Sequence, residues 1–215
     1  MIDMALIWQY LPALLHGAFL SLQITSIAAV LGLTFGSILG LAETLPSRPL
    51  RFVVGVYVTL FRGTPMLLQI LILYYVLPQF GLALPPFWAA SLAIGLNSAA
   101  YVSQILRSGI GAVPKGQIEA AYTLGLSSFK TFCHIIFPQA FRTSIPTLGN
   151  ELITLIKDSS LASIIGVMEL SKEASVIRSR TYDALSVLLA VALIYLALTT
   201  LVGFYVKKWE RKVYV

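Results

Sequence analysis

"EAAYTLGLSSFKTFCHIIFP", residues 119–138, reads as two short surface helices joined at a glycine, set in a chain otherwise too apolar for water. Of the 215 residues 58% are hydrophobic and 11% are charged, with a mean hydropathy of +0.86. A soluble domain carries about a quarter charged residues, so this balance assigns the chain to lipid. Pro114 and the polar Lys115-Gly116-Gln117 open the first helix. Glu119 lies in its early turns, where the helix dipole favours a carboxylate. Ala120 and Ala121 offer a small-residue surface, and Gly125 supplies the left-handed position that ends the helix. The second helix restarts after a serine cap and gathers Leu126, Phe129, Phe132, Cys133, Ile136 and Phe137 on one face, until Pro138 bends or stops it. Such a pair either packs on its own spans or docks a soluble partner.

Working outward, the apolar runs are measured against the roughly 20 residues that cross the hydrocarbon core. The first uncharged run, Met4 to Ala42, is too long for one span. It divides into an interfacial helix, "MALIWQYLPALL", with Trp8 and Tyr10 at the headgroups, and a first span from about Gly17 to Ala42. A loop, "ETLPSRPLR", follows. Arg62 divides the next run, and the part after it, "GTPMLLQILILYYVLPQFGLAL", is long enough for a second span. The third span extends from about Trp88 to Leu106. A fourth is expected in "IPTLGNELITLIKDSSLASIIGV", although it carries Glu151, Lys157 and Asp158. "MELSKEASVIRSRTYD" is a polar segment able to form a short helix on the far side, and the fifth span covers about Ala184 to Val206. The expectation is one all-α membrane domain, residues 1–215, with five spans and a loop at about 110–142 between the third and fourth.

The net charge of +6 is dispersed beside apolar runs, which is the positive-inside pattern and not a nucleic-acid surface. Arg48, Arg51, Arg107, Lys115, Lys130, Arg142, Lys207, Lys208, Arg211 and Lys212 fall on one side of the five-span arrangement. Only Lys172, Arg178 and Arg180 fall on the other. The richer side is expected to be cytoplasmic, with the N-terminus outside and the C-terminus inside. Cys133 is the single cysteine, and His16 and His134 lack partners at ligand spacing, so no metal site is expected. No removable signal peptide is read at the start.

Glu119-Ala120-Ala121, three residues, Gly125, nine residues, Ile135, one residue and Phe137-Pro138 resembles the EAA loop of permease subunits from ATP-binding-cassette importers. That family usually has leucine where this chain has Phe137, which keeps the apolar contact. "FRGTP" (61–65), "VPKGQIEAA" (113–121), "PQAFR" (138–142) and "LIKDSSLASIIGVMEL" (155–170) resemble the branch that imports polar amino acids. The likeness extends from about Ser21 onward. It implies that Glu119, Ala120, Ala121 and Gly125 belong to coupling helices seated in a cleft of a cytoplasmic ATPase. It also implies two ATPase copies, a second permease subunit that is here expected to be identical, and an external solute-binding protein. The chain has no "GxxxxGK[ST]" phosphate loop, so ATP is expected on the separate ATPase, with no cofactor and no catalytic residue in this subunit.

The fourth span carries the costly groups, since a charge at the bilayer centre costs at least about 2.5–3.5 kcal/mol. Glu151 and Asp158 are seven residues apart and share a face, and Asn150 and Lys157 share a neighbouring one. Lys157 and Asp158 either fasten the span as a neutral pair or serve the ligand. Glu151 has no cation one turn away and either holds a cationic ligand group or makes a structural hydrogen bond. Asn97, in the third span, either meets the ligand or bonds a neighbouring helix. Leu67, past the bend expected at Pro65, is a candidate apolar wall, and Arg62 is expected to snorkel or pair with the loop. The candidate substrate residues are thus Glu151, Asn97, Asp158, Lys157 and Leu67. Gln104 stands nearer the cytoplasm and is left out.

Together these features describe an importer permease for polar amino acids, with a lean toward arginine, histidine or lysine. A glutamine- or glutamate-type importer is the alternative. An ion-coupled carrier using Glu151 and Asp158 as proton sites would show inverted repeats, and none is found. A membrane-embedded enzyme would need a nucleophile–base pair or a metal constellation, and two isolated histidines supply neither.

Overall fold

The computed structural model describes residues 2–214, with side chains through residue 212, and every regular element among them is helical. Helix α1, Met4–Ala42, is continuous. Asp3 caps it by accepting from the Leu6 N–H at 3.0 Å. The expected division into an interfacial helix and a separate span is therefore corrected. Pro12 lies inside α1, but Leu6, Ile7 and Tyr10 before it and Leu14 and Ala18 after it pack into one cluster with Leu170, Ile177 and Val187. Tertiary packing on both sides of the proline outweighs the one backbone bond it removes. At 1.5 Å per residue the helix is about 58 Å long and extends well beyond the hydrocarbon core.

The buried face of α1 is largely small residues, among them Ala18, Ser21, Thr25, Ala28, Gly32, Gly36 and Gly40, and much of it lies on α4, Pro86–Gly111. A Cβ at Gly36 would sit 2.6 Å from Val102 Cβ, so only glycine permits this approach. Lipid gives no hydrophobic drive for helix pairing, and close backbone packing takes its place.

Between them, α2 (Arg48–Gly63) and the helical segment Met66–Phe80, which begins as α3 (Met66–Leu71), meet at a 105° bend. The break falls at Thr64-Pro65, where the proline was expected to bend the chain. The second span was expected to lie wholly after Arg62, however, and neither half alone reaches the roughly 20 residues a span requires. The pair qualifies only as one broken unit.

Two further prolines share a device. Residues Ile72–Val76 and Phe132–Ile136 are π-helical, and each precedes an X-Pro pair, Leu77-Pro78 and Phe137-Pro138. The Leu77 N–H bonds to the Ile72 carbonyl, and the Phe137 N–H to the Phe132 carbonyl. Widening the turn by one residue relieves the collision of the proline ring with the carbonyl four residues back. Pro138 therefore does not stop the segment: α6 (Ser128–Thr131) runs through the π turn into α7, Phe137–Asp158.

Before it, α5 (Lys115–Thr123) ends in a Schellman turn: Leu126 N–H bonds to the Ala121 carbonyl and Gly125 N–H to that of Tyr122. A 3-10 turn, Ser159–Ile165, leads from α7 toward α8, Leu170–Thr181. The side chain of Glu169 caps α8 from a fully buried position. It accepts from the N–H groups of Ser171 and Lys172 at 2.9 and 2.8 Å, from Tyr195 Oη at 3.1 Å and from Ser21 Oγ at 3.2 Å. One carboxylate thereby ties α8 to α1 and to α9, Ala184–Tyr214. A buried charge is tolerated only with such complete hydrogen bonding.

By length and composition α1, α4 and α9 can each cross a membrane, and the broken α2–α3 pair makes a fourth candidate. Helix α7 spans 22 residues but does not reach that standard, since it carries Pro138, Gln139, Pro146 and Asn150 besides Arg142, Glu151, Lys157 and Asp158.

Candidate functional site

The bend at Thr64-Pro65 lies beside α4 and faces α7 across a cavity of about 280 Å³. Thr64, Met66, Asn97, Tyr101, Glu151, Thr154 and Asp158 line it. The structure thus brings together three of the five candidate substrate residues, Glu151, Asn97 and Asp158. Leu67 is half-buried and outside the lining, with Met66 in the place expected for it, and Lys157 is exposed beyond the lining.

Glu151 is half-buried, and its Oε1 accepts from Ser98 Oγ at 2.7 Å. This partner was missed because it lies on α4 and not on the acid's own helix. Gly32 of α1 makes room for it, since a Cβ there would sit 2.6 Å from Ser98 Oγ. Ser98 orients one carboxylate oxygen and neutralises nothing, so the acid's charge stays uncompensated by any Lys or Arg in the lining. Asp158, two turns along the same face, adds a second acid. A low-dielectric hollow with two carboxylates favours a ligand that brings its own cation.

Asn97 is buried, and its Nδ2 donates to the Phe61 carbonyl at 2.9 Å and to Gln69 Oε1 at 3.0 Å. Gln69 Nε2 in turn donates to the Phe61 carbonyl at 2.8 Å and to Thr64 Oγ1 at 2.8 Å. The two amides satisfy backbone groups that the broken span leaves without helical partners. The amide nitrogen of Asn97 therefore binds a neighbouring element, while the residue still lines the cavity. Gln69 went unnoticed in the sequence, although a polar residue one turn after Pro65 in an apolar run is a signal of a structural partner.

The candidate coupling residues lie apart from this cavity, on α5. Glu119 and Ala120 are exposed, whereas Ala121 is 3% exposed and packs inward, so the alanine pair splits between two faces. Gly125 has φ +78, and nothing lies within 4 Å of a Cβ placed there. Gln139 Nε2 donates to Gln117 Oε1 at 2.6 Å and fastens α5 to the start of α7. Leu124 and Phe129 stand 82% and 76% exposed beside the turn, an apolar surface presented outward at the loop.

A broken span, small-residue helix packing and an acid-lined hollow among the helices define a membrane transport protein. Residues 32–214 match the family of binding-protein-dependent transport system inner membrane components, and the chain belongs to that family. The arginine transport system permease protein ArtQ of Bacillus subtilis is 41% identical over 203 residues, covering 94% of this chain and 93% of that protein. The L-cystine permease TcyB of the same organism is 43% identical, covering 94% and 86%. The glutamine permease GlnP of Escherichia coli K12 is 36% identical, covering 98% and 97%. Among solved structures, an amino acid ABC transporter crystallised with histidines superposes with a TM-score of 0.93 at 35% identity over 99% of each chain. Inward-facing MetNI, a methionine ABC transporter, shares the fold, with a TM-score of 0.80 at 20% identity. Family membership makes this chain an inner membrane component of a binding-protein-dependent transport system.

Proposed function

We propose that this subunit forms the translocation pathway of an importer for basic amino acids such as arginine, histidine or lysine. The observation that carries the reading is the cavity itself: Glu151 and Asp158 face it and no Lys or Arg lines it. The α-ammonium and side-chain cation of a basic amino acid match two carboxylates, and the ligand supplies the counter-charge that the lining lacks. The arginine permease among the relatives agrees with this choice. A glutamine-type ligand is the second reading, because Asn97, Thr64 and Thr154 also line the cavity and the glutamine permeases are similar along the whole chain.

In the proposed arrangement α7 is a further span, giving five counted with the broken pair, with the N-terminus outside and α5 cytoplasmic. Two identical permease subunits, related by a twofold axis, each seat α5 and its Gly125 turn on one of two ATPase copies. ATP binding draws the ATPases together, the α5 helices follow, and the cavity switches between the two sides of the inner membrane. A solute-binding protein delivers the ligand outside.

Direct binding to the purified permease–ATPase complex, without the binding protein, tests the substrate class, and mass measurement tests the composition. Arginine is expected to bind at least about tenfold tighter than glutamine, a difference of about 1.4 kcal/mol, in a complex holding two copies of each chain. Tighter binding of glutamine would overturn the basic reading, and a different second permease in the native complex would overturn the homodimer.

A further inference from the structure

A second cavity, of about 360 Å³, is lined by α4 residues from Tyr101 through Gln104 to Ser108 and Gly109, by Ala112 just past its end, by Thr143, Ser144 and Thr147 of α7, and by Arg62. Its position along the helices places it end to end with the acid-lined cavity. On α4 the lining passes from Asn97 in the first cavity to Ser108 in the second, roughly 16 Å along the axis. On the antiparallel α7 it passes from Asp158 and Glu151 to Thr147 and Thr143. The second cavity thus lies toward the end from which α5 emerges. Among the described residues, Tyr101 alone lines both.

Arg62 lines the second cavity beside that residue, with its guanidinium carbon 5.2 Å from the centroid of the Tyr101 ring. Among the described residues the Arg62 side chain has no carboxylate within ion-pair distance, and the single salt bridge, Arg107 to Glu43, lies elsewhere. The aromatic face of Tyr101 is a partner that the sequence did not reveal. A cation over a ring is a contact of modest strength that small displacements undo. The two partners also belong to elements that can move apart. Arg62 ends α2 next to the 105° bend, whereas Tyr101 is embedded in α4, whose neighbours Ala100 and Val102 are buried.

We propose that Arg62 and Tyr101 are the inner barrier of the pathway: the stacked pair closes the acid-lined cavity from the cytoplasmic cavity and opens when α2 shifts at its break. The barrier rests on the orientation in the proposed function, and its charge on the cationic ligand proposed there. The positive charge suits the task. A cationic ligand held at Glu151 meets Arg62 as a like charge on its inward route, so it stays until the pair separates.

Cysteine accessibility in the reconstituted complex tests the barrier, in a Cys133→Ser background, with a membrane-impermeant thiol reagent added from the ATPase side. Thr147→Cys reports the cytoplasmic cavity and is expected to react rapidly in every background. Thr154→Cys reports the acid-lined cavity and is expected to react slowly in the otherwise unaltered chain. Adding Tyr101→Ala or Arg62→Gln should speed labelling at position 154 by about tenfold, as the closed population falls. Tyr101→Phe keeps the ring face and should leave the slow rate. Rapid labelling at position 154 with Arg62 and Tyr101 intact, or no acceleration in either variant, would overturn the proposal. Arginine binding by the complex with neither barrier substitution is measured alongside, so a wrong substrate class is distinguishable from a wrong barrier.

Discussion

Glu151→Gln is expected to weaken arginine binding about tenfold to a hundredfold, since a hydrogen bond assisted by charge contributes roughly 1.5–3 kcal/mol. The substitution keeps the side chain's shape and an oxygen able to accept from Ser98, so the 2.7 Å contact that orients it survives. What is lost is the negative charge facing the cavity. Glutamine, neutral in its side chain, should lose far less, which separates charge recognition from a folding defect. Competitive binding of the two amino acids to variant and parent complexes reads both numbers. Equal arginine affinity in the two proteins would remove Glu151 from the site and leave the basic preference without its support. A parallel loss for both ligands would mean that the acid shapes the cavity through Ser98.

Gly125→Val is expected to reduce ATP-driven uptake at least tenfold while ATP hydrolysis continues. The reason is conformational. Gly125 has φ +78, a region that costs a side-chain-bearing residue roughly 1–2 kcal/mol and a β-branched one more. No atom lies within 4 Å of a Cβ built there, so the cost is not steric crowding by neighbours. Valine forces the turn out of the left-handed region, and the Leu126-to-Ala121 and Gly125-to-Tyr122 bonds that fix the end of α5 cannot both persist. The exposed Leu124 and Phe129 then present a different surface to the ATPase in the proposed docking. Gly125→Asn is the matched control, because asparagine tolerates the left-handed region, and it should retain most of the uptake. Full coupling in Gly125→Val would show that this turn does not transmit the motion.

The features legible in the sequence are those decided by neighbours along the chain. The Gly125 turn, the Ser127 cap and the break at Pro65 follow from residues within one turn of each other, and the structure has all three. The continuity of α1 through Pro12 was not legible, because Leu170, Ile177 and Val187, which hold it, are more than 150 residues away. The π turns before Pro78 and Pro138 escaped for another reason: a proline announces a lost hydrogen bond but not how the ladder is rearranged to absorb it. In the site, Glu151 and Asp158 stood out because charge in an apolar run is costly wherever it lies. Ser98 and Tyr101 did not, since serine and tyrosine are unremarkable in such helices, and Gln69 signalled a partner without saying which. Their importance rests on contacts across elements: Ser98 with Glu151, Gln69 with Asn97, and Tyr101 with Arg62.

The most direct measurement is uptake of labelled arginine by liposomes holding this permease with its ATPase and an arginine-loaded binding protein outside. With ATP sealed inside, the account predicts accumulation that stops when ATP is withheld or replaced by a non-hydrolysable analogue, and that proceeds unchanged when proton and sodium gradients are collapsed. Accumulation driven by an ion gradient in liposomes lacking the ATPase would contradict it, and would turn Glu151 and Asp158 from ligand groups into the proton sites of a carrier.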